Sequence, residues 1–267
     1  SEVPLRASSL TRLTQLDFGF CLPLHRPAHE SEDPLLRVIS FNLRKNAAVG
    51  ELTQLIERYA PDVLCLQERD TDDLPTDVAG LTLADATKRN RLGLAIYFRP
   101  DRFTAVATET YALKKSLHDR VLAPAHERLI GSRLIDKEAH RELVVASFHA
   151  APLTALNSLR RNQIRAAHFA LHGLGEGLPS LMVGDYNYPM FKNNLTTHVN
   201  KNGYDLTLSD RMTYTRYKFF KGHFDFATSA GLDIKGIETL GTVDSDHKPI
   251  LVTADYPADT DYQPGGR

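Results

Sequence analysis

Short apolar runs recur along the chain from residue 35 onward, and many of them end in a polar residue. LLRVISFN, PDVLCLQE, ELVVASFH and SLMVGDYN are typical of buried strands, because each holds several apolar residues beside a polar end. LGLAIYF, RFTAVATET, RLIGSRLID and KPILVTADY are also strand-like, and HFDFATSAGLDIKGIETL predicts two strands around a glycine turn. The pattern therefore predicts many short strands.

Three other stretches have the spacing of helices. AAVGELTQLIERYA places Leu52, Leu55 and Ile56 on one face, and FKNNLTTHVNKNGY predicts a second helix. LTALNSLRRNQIRAAHFALHGL predicts a long amphipathic helix. Its apolar side is expected to carry Leu153, Leu156, Leu159 or Ile164, and Phe169. Because helices intermix with several adjacent strands, the order of elements predicts an α/β sandwich of stacked sheets instead of one parallel sheet.

The ends of the chain differ from its centre. Residues 1–34 are weakly periodic and interrupted by prolines, so we expect an N-terminal extension that packs on the domain. Residues 35–257 carry the strand and helix pattern and are expected to form the domain. Residues 258–267, with the sequence ADTDYQPGGR, are expected to be a flexible tail.

The charge balance excludes a strong global field. The 267 residues include 32 Lys and Arg against 33 Asp and Glu, which gives a net charge of −1. This balance argues against tight non-specific binding of nucleic acid, but it allows an enzyme that contacts a few phosphates locally.

Cysteine usage and hydropathy restrict the class of protein further. Cys21 and Cys65 are too few for a disulfide framework, and the apolar run DVLCL predicts that Cys65 is buried. No apolar run is long enough for a transmembrane segment, and no signal-peptide pattern opens the chain. The first residue is Ser, so the compartment stays open between secreted or periplasmic and cytoplasmic.

Polar residues that can bind a metal or a phosphate stand at the ends of the predicted strands. The set comprises Asn42, Glu68, His149, Asp185, Asn187 and Asp225, and the stretch TVDSDHKPILV adds Asp246 and His247. If these ends meet at one edge, their oxygen ligands suit a hard cation such as Mg²⁺. An imidazole paired with a carboxylate can then take a proton from an attacking water.

Each member of this set also has an ordinary structural explanation. Glu68 alone fits a solvated strand end, His149 fits a hydrogen-bonded core histidine, and GDYN fits a turn. Asp225 is less ordinary, because a carboxylate between Phe224 and Phe226 needs a partner or an exposed face.

The order of the motifs resembles the endonuclease/exonuclease/phosphatase superfamily, to which deoxyribonuclease I belongs. The matching stretches SFNLR, LQER, SFHAAP, GDYN, HFDF and SDHKPI run in family order from about residue 37 to residue 254. The resemblance implies a four-layer α/β/β/α sandwich, in which two packed mixed sheets are flanked by helices. It also implies a metal-dependent phosphoric ester hydrolase.

The resemblance assigns a metal-binding role to three residues. Glu68 would be the principal ligand of Mg²⁺, with Mn²⁺ as a substitute, while Asn42 and Asp246 would help to hold the ion or its waters.

The resemblance assigns the chemistry to five others. Asp185 would orient or activate the attacking water, and Asn187 would donate to a phosphate oxygen. Asp225 would fix the tautomer of His247 at the phosphate, and His149 would stabilise charge or protonate the leaving oxygen from the opposite side.

The sequence offers two candidate residues for contacts with the substrate, Arg44 and Arg216, and each has an ordinary structural alternative. Arg44 is a candidate for the substrate backbone, with a plain surface charge as the alternative. In RMTYTRYKFFKGHFDF, Arg216 and its basic neighbours alternate with aromatic residues that could stack on bases, or the aromatics could be strand core. Arg160 and Gln163 are expected to brace their helix.

The leading hypothesis is a monomeric Mg²⁺-dependent nuclease that cleaves phosphodiester bonds of DNA or RNA by in-line attack of water. The alternative is a lipid or small-molecule phosphoesterase similar to sphingomyelinases or inositol phosphatases. A long apolar insertion for bilayer contact would favour the alternative, and none is evident beyond LDFGFCLPL. A third class, a non-catalytic scaffold, is disfavoured by the intact polar set.

Overall fold

The computed structural model describes residues 34–88, 92–116, 127–188, 192–217 and 220–257, with backbone alone at 192, 215–217 and 220–221. The strands are β1 (Leu36–Asn42), β2 (Val63–Arg69), β3 (Asp77–Val78), β4 (Leu81–Ala86), β5 (Gly93–Phe98), β6 (Phe103–Ala112), β7 (Glu127–Asp136), β8 (Arg141–His149), β9 (Ser180–Asp185), β10 (Asp205–Leu208), β11 (Tyr214–Tyr217), β12 (Phe220–Gly222), β13 (Asp225–Ala230), β14 (Asp233–Thr239) and β15 (Ile250–Asp255). The helices are α1 (Leu52–Tyr59), which follows a 3-10 turn, α2 (Asn157–Leu174) and α3 (Lys192–Asn200).

The described strands form two mixed sheets and a short ribbon. The first sheet has the order β14-β15-β1-β2-β5-β4-β3, the second has the order β10-β13-β9-β8-β7-β6, and β11 pairs with β12. Each large sheet contains one parallel pair, β1 with β2 and β8 with β9, among antiparallel neighbours. These parallel pairs bring the carboxyl ends of their strands to the same edge.

Three apolar clusters stack the elements in layers. Alternate residues of both sheets, such as Val38 and Val183, form the core between the sheets. The opposite face of the first sheet packs on α1, and the opposite face of the second packs on α2 and α3. This is the four-layer α/β/β/α sandwich of two packed mixed sheets that was predicted, and the fold class is confirmed.

Two details of the helix predictions were wrong. Leu156 precedes α2 and is 76% exposed, while Phe169 lies on the solvent side of the helix and is 80% exposed. The buried face of α2 carries Ile164, as predicted, together with Ala167 and Leu171. Phe169 cannot join that face, because a residue two positions after Ala167 points to the other side of a helix.

The layer between the sheets changes from apolar to polar toward one edge. Along β1 the inward side chains are Val38, Ser40 and Asn42, and along β8 they end in Ser147 and His149. Buried Gln67 bridges the sheets there, because its Nε2 donates to Ser147 Oγ at 2.8 Å and to Ser40 Oγ at 3.1 Å. This hydrogen-bonded row separates the apolar core from the polar edge.

A buried guanidinium closes the opposite edge, where β1 and β2 begin. Arg102 pairs with Asp136 at 2.8 Å and with Asp62 at 3.0 Å, and it also donates to the carbonyls of Pro34 and Leu35. The charge is therefore compensated by two carboxylates and two carbonyls, as a buried ion requires.

The predictions for Cys65, for membrane-spanning segments and for the two ends of the chain can be compared with the structure in turn. Cys65 is fully buried, and burial raises the pKa of its thiol. No helix in the described residues is long and apolar enough to cross a membrane. The predicted extension, except Pro34, and the predicted tail lie outside the described residues.

We expect Arg102→Ala to lower the free energy of unfolding by about 3–5 kcal/mol, because it leaves two carboxylates buried without their cation. Urea unfolding measures the change. The matched control is Arg133→Ala, whose pair with Glu142 on β8 is partly exposed to solvent and should matter little. Equal effects of the two substitutions would contradict the importance of the Arg102 network.

A buried histidine supports a second prediction. His168 on α2 stacks on Tyr204 at a centroid distance of 3.8 Å, and its Nε2 lies 2.9 Å from Thr228 Oγ1. Its Nδ1 is buried and has no hydrogen-bond partner among the residues that the structure describes. Burial lowers the pKa of His168 from 6.5 to about 3. The folded protein therefore holds this imidazole neutral where the unfolded chain would protonate it.

The neutral imidazole contributes stability above pH 6.5 that is lost as the pH falls toward 3, because only the unfolded chain gains the proton. When the pH falls from 7.5 to 5, the free energy of unfolding of the wild type should decrease by about 2 kcal/mol more than that of His168→Gln. Denaturant titrations at both pH values test this. The exposed His172→Gln on the same helix should keep the wild-type profile, and parallel profiles for all three proteins would contradict the assignment.

Candidate active site

Six of the eight predicted metal and catalytic residues meet at the polar edge between the sheets. In the second sheet, strand register places His149 beside Asp185 and Asp185 beside Asp225 in one row. From the first sheet, Asn42 Nδ2 donates to Asp185 Oδ2 at 3.2 Å. Asp185 therefore joins the two sheets at this edge.

The carboxylate of Asp185 lies between two imidazoles. Its Oδ2 is 3.7 Å from His149 Nε2 and also 3.7 Å from His247 Nε2, while its Oδ1 accepts the backbone N–H of Asn187 at 2.9 Å. Burial raises the pKa of Asp185 to about 7, with further increases from the charges of Asp225 and Glu68 and an opposing effect of His247.

His247 is held by a second buried carboxylate. Its Nδ1 lies 2.9 Å from Asp225 Oδ2, and the rings of Tyr214 and Phe224 pack on it edge-on. Burial disfavours the imidazolium, but Asp225 and Asp185 outweigh burial and raise the pKa of His247 to about 10. The two carboxylates therefore favour the imidazolium form of His247, whose Nε2 lies 3.7 Å from Asp185 Oδ2.

Glu68 reaches the site through a β-bulge. Gln67 points between the sheets, so regular alternation would direct Glu68 toward the α1 layer. The register of β2 against β5 shifts between Leu66 and Arg69, and Glu68 has φ 55°. The bulge re-aims the carboxylate, whose Oε1 lies 4.0 Å from His149 Nε2.

The loop after β1 supports the same carboxylate. Arg44, Lys45 and Asn46 have positive φ angles of 49°, 52° and 72°. This turn directs Lys45 N–H to Glu68 Oε2 at 2.8 Å and Asn46 N–H to Glu68 O at 2.9 Å. Three successive left-handed residues other than glycine are costly, so the contacts with Glu68 hold this conformation.

The loop that carries Asp246 and His247 is fixed by two residues with no predicted role in the site. Ser245 Oγ donates to Asn42 O at 2.7 Å and accepts from His247 N at 3.1 Å. Glu51 accepts hydrogen bonds from the N–H groups of Val243 and Asp244. Ser245 stands in the SDH motif, whereas no local signal in the sequence points to Glu51.

The glycine of GDYN has a steric role. Gly184 has φ 146°, and a Cβ atom there would lie 1.9 Å from Phe148 O. Only glycine permits this close approach of β9 to β8. The contact sets the height of Asp185 beside His149.

The other predicted site residues are Asn187, Asp246, Arg44 and Arg216, and the structure describes fewer contacts for them. Asn187 is buried near the carbonyl of Ala150, and Asp246 Oδ1 lies 3.9 Å from Arg44 Nε. The Arg44 side chain also donates to Asp244 O at 3.3 Å, so it lies over the loop that contains the SDH motif. Arg216 belongs to β11, but its side chain lies outside the described atoms.

The structure gives packing or bracing roles to Tyr214, Arg160 and Gln163. Tyr214 is buried against His247, so it belongs to the wall of the site and is not an exposed stacking surface. Arg160 donates to Pro152 O, and Gln163 links Ala151 N to Lys114 O, so both brace the start of α2.

The donor set fits a hard divalent cation. Ligand atoms of Asp185, Asp225 and His247 lie within 4.8 Å of one another, although the hydrogen bond from His247 already occupies Asp225. Glu68 is more open, with 18% of its side chain exposed and only Oε2 hydrogen-bonded to the backbone. Carboxylate oxygens such as those of Glu68 are the ligands that hard divalent cations prefer.

Solved structures with the same fold come from several organisms. The mannosyl-6-phosphatase Bt3783 of Bacteroides thetaiotaomicron is 16% identical with a TM-score of 0.68, covering 83% of this chain and 100% of that one. The human Nocturnin catalytic domain is 18% identical with a TM-score of 0.64, covering 84% and 95%. TDP2 of D. rerio, complexed with single strand DNA product, is 16% identical with a TM-score of 0.65, covering 84% and 100%.

The sequence itself gives the more specific result. Comparison with curated proteins finds no match, whereas the sequence model of the Endonuclease/Exonuclease/phosphatase family matches residues 39–247. This range includes every residue of the polar edge described above. The chain belongs to the endonuclease/exonuclease/phosphatase family and is a phosphoric ester hydrolase.

Proposed function

We propose that the protein is a Mg²⁺-dependent phosphodiesterase that cleaves nucleic acid by in-line attack of water on phosphorus. The observation that carries this proposal is the position of Asp185. Its Oδ2 lies 3.7 Å from the Nε2 atoms of both His149 and His247. A carboxylate flanked by two imidazoles supplies groups for both sides of a displacement at phosphorus.

Asp185 and His247 have complementary roles in the proposed reaction. The raised pKa of Asp185 makes its carboxylate a suitable acceptor for a proton of the attacking water. The imidazolium of His247, oriented by Asp225, donates a hydrogen bond to a phosphate oxygen and stabilises the charge that develops there. The water and the phosphate would thus meet beside Asp185 Oδ2.

His149 and Asn187 complete the proposed set. His149 faces the phosphate from the side of Glu68, where it stabilises or protonates the leaving oxygen. Asn187 has φ 48° and is held by the contact of its N–H with Asp185, so its amide can donate to a second phosphate oxygen.

Glu68, Asn42 and Asp246 are the proposed ligands of Mg²⁺ or of its waters, and Mn²⁺ is the proposed substitute. When bound, the ion would neutralise charge on the phosphate. Asn42 also ties Asp185 to the first sheet, so it would connect the metal-binding side of the site with the water-binding side.

Support for nucleic acid as the substrate comes from a structural neighbour, TDP2 of D. rerio, which was solved with a single strand DNA product. A mannosyl-6-phosphatase among the neighbours favours a small-molecule phosphoesterase as the second candidate. Both candidates use the same phosphate chemistry. A nucleic acid would extend beyond the site and contact cations outside it, whereas a small-molecule substrate would not.

In a plasmid-nicking assay with Mg²⁺, the wild type should nick supercoiled DNA and EDTA should stop the reaction. Asp225→Asn should lower the rate constant by about 10²- to 10⁴-fold, because it removes the carboxylate that orients and charges His247. The affinity for DNA should change little.

The control for this experiment is Asp244→Asn, which removes an exposed carboxylate from the same loop as His247. This variant should nick plasmid at the wild-type rate. Full activity of Asp225→Asn would contradict the role of the Asp225–His247 pair. Hydrolysis of sugar phosphates without any cleavage of DNA or RNA would contradict the nucleic-acid substrate.

Calorimetric titration with Mg²⁺ tests the metal assignment without relying on activity. Glu68→Gln should weaken the binding of Mg²⁺ at least about 10-fold, because it removes a charged ligand. Loss of a residue that only supports a ligand already weakens metal binding by about this factor. Glu57→Gln removes an exposed carboxylate from α1 and should bind the ion as the wild type does. Unchanged affinity in Glu68→Gln would contradict its role as principal ligand.

A further inference from the structure

A positively charged groove lies between α2 and α3, outside the residues assigned to the chemistry. It measures roughly 310 Å³, and its walls include Arg161 and Arg165 from α2, with His198 and Lys201 from the region of α3. Ser158 and Asn162 add hydrogen-bonding groups, and no acidic residue is among the described residues that line it. The groove is therefore a local basic site on a chain whose net charge is −1.

The cations of this groove are available to a ligand. Arg165 and Lys201 are exposed and form no ion pair with any residue that the structure describes. The guanidinium of Arg161 donates to Tyr188 Oη at 2.9 Å without neutralising its charge. Groups of this kind bind phosphates, because arginine presents a planar fork of donors and lysine a mobile point charge.

The groove is connected to the catalytic edge through the chain. Tyr188, the partner of Arg161, directly follows Asn187 of the proposed site. Helix α2 begins at Asn157, shortly after β8 ends at His149. The wall of the groove is therefore tied by Arg161 to the segment that follows Asp185 and Asn187.

An exposed aromatic residue distinguishes a nucleic acid from a simple anion as the ligand. Arg161, Arg165 and Phe169 are spaced four residues apart and thus lie along one stripe of α2. Phe169 is 80% exposed, so its ring lies at the surface of the described part of the chain. Alternation of cations with an exposed ring is typical of surfaces that bind single strands, where bases stack on the ring.

We propose that this groove binds the sugar–phosphate backbone of single-stranded nucleic acid and that a base stacks on Phe169. The inference rests on the proposed function, because it takes the strand to be the enzyme's substrate. A duplex fits less well, since its bases are already stacked and paired. The groove would hold the strand at a distance from the scissile bond and contribute affinity without reading sequence.

The test is the binding of fluorescently labelled (dT)₁₂ to the full chain in EDTA, where cleavage does not interfere, followed by anisotropy at several salt concentrations. Arg165→Gln/Lys201→Gln should raise the dissociation constant about 10-fold and reduce the slope of log K against log salt by about 1.4, or about 0.7 for each lost phosphate contact. Phe169→Ala should raise the dissociation constant between about 5-fold and 100-fold.

Matched controls remove the same groups elsewhere. Arg58→Gln/Lys137→Gln removes two cations, from α1 and from the β7–β8 turn, and Val106→Ala shortens another exposed apolar side chain on β6. These proteins should bind (dT)₁₂ as the wild type does. Thermal unfolding of each variant checks that its fold is retained.

Wild-type affinity in both groove variants, or no binding of (dT)₁₂ by the wild type, would overturn this inference and leave the proposed reaction standing. Loss of affinity in the cation variant but not in Phe169→Ala, with equal competition by poly-glutamate, would overturn it in favour of a general anion surface. If the groove binds (dT)₁₂ but the wild type cleaves no nucleic acid, the groove is still a binding site for single strands, whereas the proposed function and the role of the strand as substrate fail.

Discussion

The site depends on a buried carboxylate that joins two sheets. Asp185 ends β9 in the second sheet, and it accepts a hydrogen bond from Asn42 at the end of β1 in the first. A charge in that position is tolerable only with partners, and here they are an amide, a backbone N–H and two imidazoles. The edge between the sheets is therefore both a structural joint and the place where a phosphate can be bound.

The two edges of the inter-sheet layer solve the problem of buried charge differently. At the edge where β1 and β2 begin, Arg102 is surrounded by acceptors and its charge is compensated. At the polar edge, burial raises the pKa of Asp185, and the nearby carboxylates of Asp225 and Glu68 raise it further. The first arrangement favours stability, whereas the second leaves the site ready for a cation and an anionic substrate.

The sequence predicted the fold class and the convergence of the strand ends well. In VISFN and VVASFH, alternate residues change from valine to serine and then to Asn42 or His149, so the inward face of each strand becomes polar toward one edge. Parallel pairing brings the end of β1 beside that of β2 and the end of β8 beside that of β9, and the packing of the two sheets places both pairs at the same edge. The order of the motifs added the family, which the match over residues 39–247 confirms.

Other features could not be predicted, because they depend on backbone geometry or on contacts distant in sequence. Glu68 reaches the edge only because a bulge with a positive φ redirects it. Glu51 contacts the loop before Asp246 across more than 190 positions of sequence. Helical spacing suggested that Phe169 belongs to the apolar face of α2, but the core uses a neighbouring stripe, and the exposed ring became visible only in the fold.

Direct attack of water on phosphorus beside Asp185 is the central claim. It is tested most directly by cleaving a defined oligonucleotide once per enzyme molecule in H₂¹⁸O with Mg²⁺ and weighing the products by mass spectrometry. The account predicts one ¹⁸O atom in the product that carries the phosphate and none in the released hydroxyl. A cyclic phosphate without ¹⁸O, or ¹⁸O in the hydroxyl product, would contradict it.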